Sequence, residues 1–194
     1  MKSRLFISTL AVMAVAGCGL GDNPTKTKNE EPSMNMQEAA DHAEEILDKT
    51  ADSLHPPLEW DRGPSSDPIC TDFKNDATGK GSVTRRRYAL TIISPERRDS
   101  FMGVVERHWK KSGYKITSVR NHKEMPAIFA STPENFRMVL KIGYKGQAFV
   151  DVSSPCVTES QVTEPPMPPI DPADPASKGL PYIRSDFWSA ETSS

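Results

Sequence analysis

The chain has 194 residues, with 24 Lys and Arg against 26 Asp and Glu, 17 prolines and a mean hydropathy of -0.54. That length suits one domain. The proline content and hydropathy exclude a core spread along the whole chain: only residues 83–153 are dense enough in apolar side chains to build one. The net charge of -2 hides an uneven distribution: residues 30–82 carry 13 acidic and 4 basic side chains, 83–151 carry 6 acidic and 14 basic, and 157–194 carry 6 acidic and 2 basic. The local signs, acidic then basic then acidic, bear on partners more than the total does.

Lys2 and Arg4 precede an apolar run from Leu5 to Ala16, which ends in Val15-Ala16-Gly17-Cys18. A membrane span needs about 20 apolar residues, so this run is too short. A basic start, a short apolar core and small residues before a cysteine resemble a bacterial lipoprotein signal. The resemblance implies that residues 1–17 are removed and that Cys18 carries a diacylglycerol. The chain is then expected at the extracytoplasmic face of the cell membrane. Gly19 follows the cysteine, so the aspartate associated with inner-membrane retention is absent. Of the three cysteines, lipidation of Cys18 leaves Cys70 and Cys156, and in an oxidising compartment these two are expected to pair. The bond would bracket the predicted core and contribute roughly 4–5 kcal/mol in the chain-entropy account.

Residues 18–33 have no apolar period and read as a flexible tether. Residues 35–54 predict a helix. Asn35 with Glu38 makes a capping pair, and Met36, Ala40, Ala43, Leu47 and Leu54 form one apolar stripe. Glu38, Asp41, Glu44, Glu45, Asp48 and Asp52 cover the other side, and Pro56-Pro57 ends the helix. Residues 56–82 read as a long connection held by Cys70 and Trp60. Within it, Asn75 to Gly81 reads as an exposed turn that lacks the residue order of a phosphate loop. Tyr88, Leu90 and Ile92 alternate with Arg87, Ala89 and Thr91, which predicts a first strand with the arginine outward. Ser94-Pro95-Glu96 marks a helix start. Phe101, Val104, Val105, His108 and Trp109 share a stripe of that helix, and Gly113 is placed to cap its end.

Strands are predicted around Tyr114–Val119, over 127–131, over Phe136–Tyr144 with strict alternation, and over 147–153, the last two joined by Lys145-Gly146. The element order α-β-α-β-β-β-β predicts an α+β two-layer sandwich: a mainly antiparallel sheet of four to five strands with two helices on one face. The domain is expected over 34–156, followed by a Pro-rich disordered tail over 157–194. Tyr182, Ile183, Phe187 and Trp188 are unusual in such a tail and suggest a motif that docks on a partner or back on the domain.

Catalytic signatures are scarce. His42, His55, His108 and His122 fall on separate elements, and no CxxC or HxxxH spacing offers a metal site. No GxSxG elbow is present. No cofactor is implied. The residues that stand out are basic. Arg85, Arg87, Lys115, Arg137 and Lys141 are expected on the open sheet face, either solvated, or neutralised by the acidic first helix, or forming a surface for a polyanion. Outside the cytoplasm nucleic acid is not the expected ligand. Anionic lipid, a wall polymer or an acidic protein is. The expected function is a non-enzymatic binding or accessory module. The alternative is an envelope hydrolase whose site converges from distant residues.

The lipobox, Ser94-Pro95-Glu96, Lys141-Ile142-Gly143-Tyr144-Lys145-Gly146 and the bracketing Cys70 and Cys156 resemble small surface lipoproteins of actinomycetes, the mycobacterial LppA-like kind included. Apart from the signal, the resemblance covers roughly 70–156. It implies location and fold and assigns no activity.

Overall fold

The computed structural model describes residues 34–165 and 181–191. The expected signal peptide, Cys18, the tether and the proline runs between 166 and 180 lie outside the described residues. Helix α1 spans Met36–Asp52. Both halves of its capping box form: the Asn35 side chain accepts from the Glu38 backbone N–H, and the Glu38 side chain accepts from that of Asn35. Its buried stripe is Met36, Ala39, Ala40, Ala43, Ile46, Leu47 and Thr50, as the 3.6-residue period requires. No helix among the described residues is long and apolar enough to cross a membrane.

Three short strands follow, β1 (Trp60–Arg62), β2 (Ile69–Thr71) and β3 (Ala77–Gly81), and then β4 (Thr84–Ala89). A 3-10 turn over Pro95–Arg97 leads into α2 (Arg98–Lys111). The later strands are β5 (Lys115–Arg120), β6 (Ala127–Ser131), β7 (Arg137–Ile142), β8 (Ala148–Ser153) and β9 (Val157–Thr158). Six strands form one antiparallel sheet in the order β1-β4-β8-β7-β6-β5, and β2-β3-β9 form a smaller one. Both helices pack on one face of the large sheet, α1 over β4 and β8 and α2 over β5 and β6. The α+β two-layer architecture is therefore as expected, with one more strand in the main sheet. The supposed connection over 56–82 contains three strands. They were hidden because each is only three to five residues long and none alternates clearly between apolar and polar side chains.

The core lies between sheet and helices. Met138, Leu140 and Ile142 of β7 and Val150 and Val152 of β8 meet Ile46, Leu47, Phe101, Val105 and Trp109 of the helices. Full burial of such side chains is worth about 1.5–3 kcal/mol each. The Trp109 indole N–H donates to the Thr50 hydroxyl at 3.0 Å, which joins α2 to α1. Gly113, at φ 82, ends α2 as its position suggested. The link between β7 and β8 is a 3-10 turn over Tyr144–Gly146 rather than a two-residue hairpin. Gly146 has φ 74, and a Cβ there would run into the Ile93 carbonyl, so that position requires glycine.

Cys70 and Cys156 are bonded. The bond ties β2 to the residue preceding β9, and so joins the small sheet across the whole core-forming segment. The expected domain end at 156 does not hold. Val157 and Thr158 pair with Gly81 and Lys80, and residues 181–191 return to the domain. Ile183 bridges Thr91 in parallel, and Trp188 is completely buried. The reading of 157–194 as a free tail is corrected for 157–165 and 181–191: β9 pairs with β3, and burial of Trp188 together with the backbone hydrogen bonds to Leu90, Ile92 and Ser94 offsets the cost of ordering the strap. Ser94, expected to cap α2, makes no side-chain cap bond. Its hydroxyl instead donates to the Ala190 carbonyl of the strap at 2.6 Å.

Candidate binding surface

The phase of β4 decides which side chains face outward. Arg85, Arg87 and Ala89 oppose Val152, Val150 and Trp60 in the sheet, and Val150 and Val152 belong to the helix-covered core. Arg85 and Arg87 therefore point beneath α1, with Arg85 only 1% exposed. Arg86 and Tyr88 point outward. This corrects the placement of Arg85 and Arg87 on the open face. The cause is α1. Glu44 accepts from Arg62 at 2.5 Å and from Arg87 at 3.0 Å, and it lies 4.0 Å from the Arg85 Nε. Asp48 meets Arg87 at 2.5 Å. Internal pairing with the acidic helix thus absorbs this part of the basic run.

The cluster holds three guanidiniums against two carboxylates. The Arg85 Nε and Nη2, the Arg87 Nε and the Trp60 indole N–H are buried and make no hydrogen bond among the described residues. At its edge a small cleft of about 140 Å³ is lined by Glu44, Arg62, Arg86 and Glu164 among others. Drug-sized ligands occupy roughly 300–1,000 Å³, so this space is smaller than such a ligand needs.

The open face is built by cross-strand rows. Thr84, Ser153, Arg137, Ser131 and Lys115 align in one, and Arg86, Asp151, Val139, Phe129 and Ser118 in the next. Tyr88, Phe149 and Lys141 follow. Arg86 pairs with Asp151 through two hydrogen bonds, which raises its pKa further above the ordinary value. Lys141 lies 3.3 Å from the same carboxylate and 5.4 Å from the Phe149 ring. Tyr88 donates to Asp61 at 2.9 Å. Burial, reinforced by that carboxylate, pushes the phenol up to about 12.

Lys115 and Arg137 are exposed, and among the described residues neither forms an ion pair. Phe129 beside them is 38% exposed. Of the five basic positions singled out from the sequence, the structure brings Arg137, Lys141 and Lys115 to the open face and withdraws Arg85 and Arg87. It adds Arg86, Phe129 and Asp151. Asp151, a lone acid inside an apolar alternating strand, was the available signal.

Among the described residues no three His, Cys, Asp or Glu side chains stand close enough to hold a metal. His108 is half-buried on α2, and its pKa is lowered by burial and then by Lys111. Among the described residues its Nε2 is buried and makes no hydrogen bond. No protein-family model matches the chain, and no curated relative matches it significantly. A solved structure, of a DUF4853 family protein from Actinomyces odontolyticus, is similar at a TM-score of 0.40 and 13% identity, over 77% of this chain and 78% of that one.

Proposed function

We propose that the chain is a lipid-anchored cell-envelope protein whose domain is a non-enzymatic binding module, working through the open face of its six-stranded sheet. The observation that carries the binding half is the pair of unneutralised cations, Lys115 and Arg137, beside the exposed Phe129 on a face no described helix covers. An anionic ligand with some apolar surface fits that chemistry, such as a lipid head group, a wall polymer or an acidic protein.

The anchoring half rests on the signal anatomy. With Cys70 and Cys156 bonded to each other, Cys18 is the cysteine left over, as lipidation at that position would require. Cys18→Ala is expected to shift the protein from the membrane fraction to the soluble fraction. A variant that still floats with membranes after high-salt washing would refute the anchor.

For the face, Lys115→Glu with Arg137→Glu is expected to weaken retention on anionic vesicles or wall polymer by roughly 30-fold or more, since each surface cation contributes about 1 kcal/mol and reversal also introduces repulsion. The wild-type interaction should weaken with rising salt. Equal retention on neutral and anionic matrices would count against the face.

A further inference from the structure

We infer that the free edge of β5 is a docking site for an extended acidic peptide segment, which adds to the large sheet as a seventh strand. The inference rests on the binding-module reading above and names a partner for the same side of the molecule. β5 is the terminal strand of its sheet, and five of its six residues are exposed. A terminal strand offers a row of unpaired backbone N–H and C=O groups, the feature that recruits a further strand. The opposite edge, β1, is only three residues long.

Among the described residues, exposed apolar side chains lie on and near β5: Val119 on the strand at 46%, Met125 in the loop after it at 48%, and Phe129 on the neighbouring β6 at 38%. Val119 opposes the buried Ile128 and so lies on the helix side of the sheet, whereas Phe129 opposes Ser118 on the open side. An added strand, whose side chains alternate between faces, would meet Val119 on the helix side, and on the open side Ser118 with Phe129 one strand further in.

Charge selects the strand. Lys115 and Arg120 stand at the two ends of β5, and residues 97–124 hold eight basic side chains against three acidic. A second copy pairing antiparallel through its own β5 would set Lys115 opposite Arg120, and like charges in register are destabilising. The cations and the irregular pairing between Ile116 and Ser118 thus protect the edge from neutral or basic strands. An acidic strand would be attracted by the same cations.

The test is fluorescence anisotropy of the full chain with a labelled eight-residue peptide alternating valine or threonine with aspartate or glutamate. Saturable binding is expected, weakened at least tenfold by Lys115→Glu with Arg120→Glu. It should also fall at least tenfold when alternate peptide nitrogens are methylated, a change that removes backbone donors and keeps the charge. Equal affinity for the methylated peptide would overturn strand addition and leave a general polyanion surface. Absence of saturable binding would overturn it as well. Arg137→Glu, tested alone on anionic vesicles, separates the two readings. If that variant loses vesicle retention while the peptide fails to bind wild type, edge docking falls and the open face stands. If the peptide binds and Arg137→Glu has no effect, the face reading falls and the edge stands.

Discussion

Trp188→Ala is expected to lower the stability of the domain by about 3–5 kcal/mol, the range for deleting a buried aromatic side chain. The melting temperature should fall by roughly 6–20 °C for a domain of this size. Trp188 is completely buried. It meets Phe101 edge to face at 5.6 Å, and its indole N–H donates to the Pro56 carbonyl at 2.7 Å. Its own carbonyl accepts from the Ser94 N–H, and the hydroxyl of Ser189 next to it donates to the Ile92 carbonyl. The strap therefore closes the corner where β4 gives way to α2. Phe187→Ala is the comparison. Phe187 is 37% exposed and lies under Arg97, so its loss should cost about 1 kcal/mol. Thermal unfolding of the two variants would decide the matter: similar small losses would mean that the strap is not part of the core.

The strap also shows where sequence reading reaches its limit. Tyr182, Ile183, Phe187 and Trp188 were conspicuous as apolar residues after a proline-rich stretch, but composition cannot say what they pack against. Local signals did better when all their partners were within a few residues. The Asn35 and Glu38 capping box, the alternation of Met138, Leu140 and Ile142, and Gly113 after α2 each depend on neighbours in the chain, and each is in its expected place. Ser94 marks the opposite case. It stands where a cap residue belongs, yet its hydroxyl is claimed by Ala190, 96 residues away. The short strands β1, β2 and β3 depend in the same way on β4 and β9 and on the Cys70–Cys156 bond.

The phase of β4 differs from the expected one for a physical reason that matters for the site. Alternation identifies two faces of a strand without saying which is inward, and placing the apolar set inward is the usual choice. In β4 the outward set contains Tyr88, and the inward set contains two arginines. That inversion is possible because α1 brings Glu44 and Asp48 over them. The acidic face of α1 was legible, as was the basic run of β4. Their meeting depended on the fold. Lys115, Arg137 and Lys141 keep the open face expected of them, where among the described residues no acidic helix lies above them. Asp151 moderates one end of their face through Arg86 and Lys141.

The Glu44 cluster yields the second large effect, and its sign depends on which partner is removed. Glu44→Gln leaves Arg62, Arg85 and Arg87 facing a neutral amide, with Asp48 close to Arg87 alone. Glu44 and its bonded partners are partly rather than fully buried, so losing the carboxylate costs about 2–3 kcal/mol, because the guanidiniums stay partly desolvated. Arg85→Met should behave differently. The Arg85 side chain is 1% exposed, its one hydrogen bond among the described residues is to the Thr84 carbonyl, and Glu44 is 4.0 Å away. Two of its nitrogens are buried without a bond. Methionine would fill most of the same space without that desolvation, and Glu44 would keep Arg62 and Arg87. The expected change is near neutral or stabilising, by up to about 2 kcal/mol. Chemical denaturation of the two single variants measures both. A loss for Arg85→Met as large as that for Glu44→Gln would mean that Arg85 and Glu44 act as a tight pair rather than as a crowded cluster around one carboxylate.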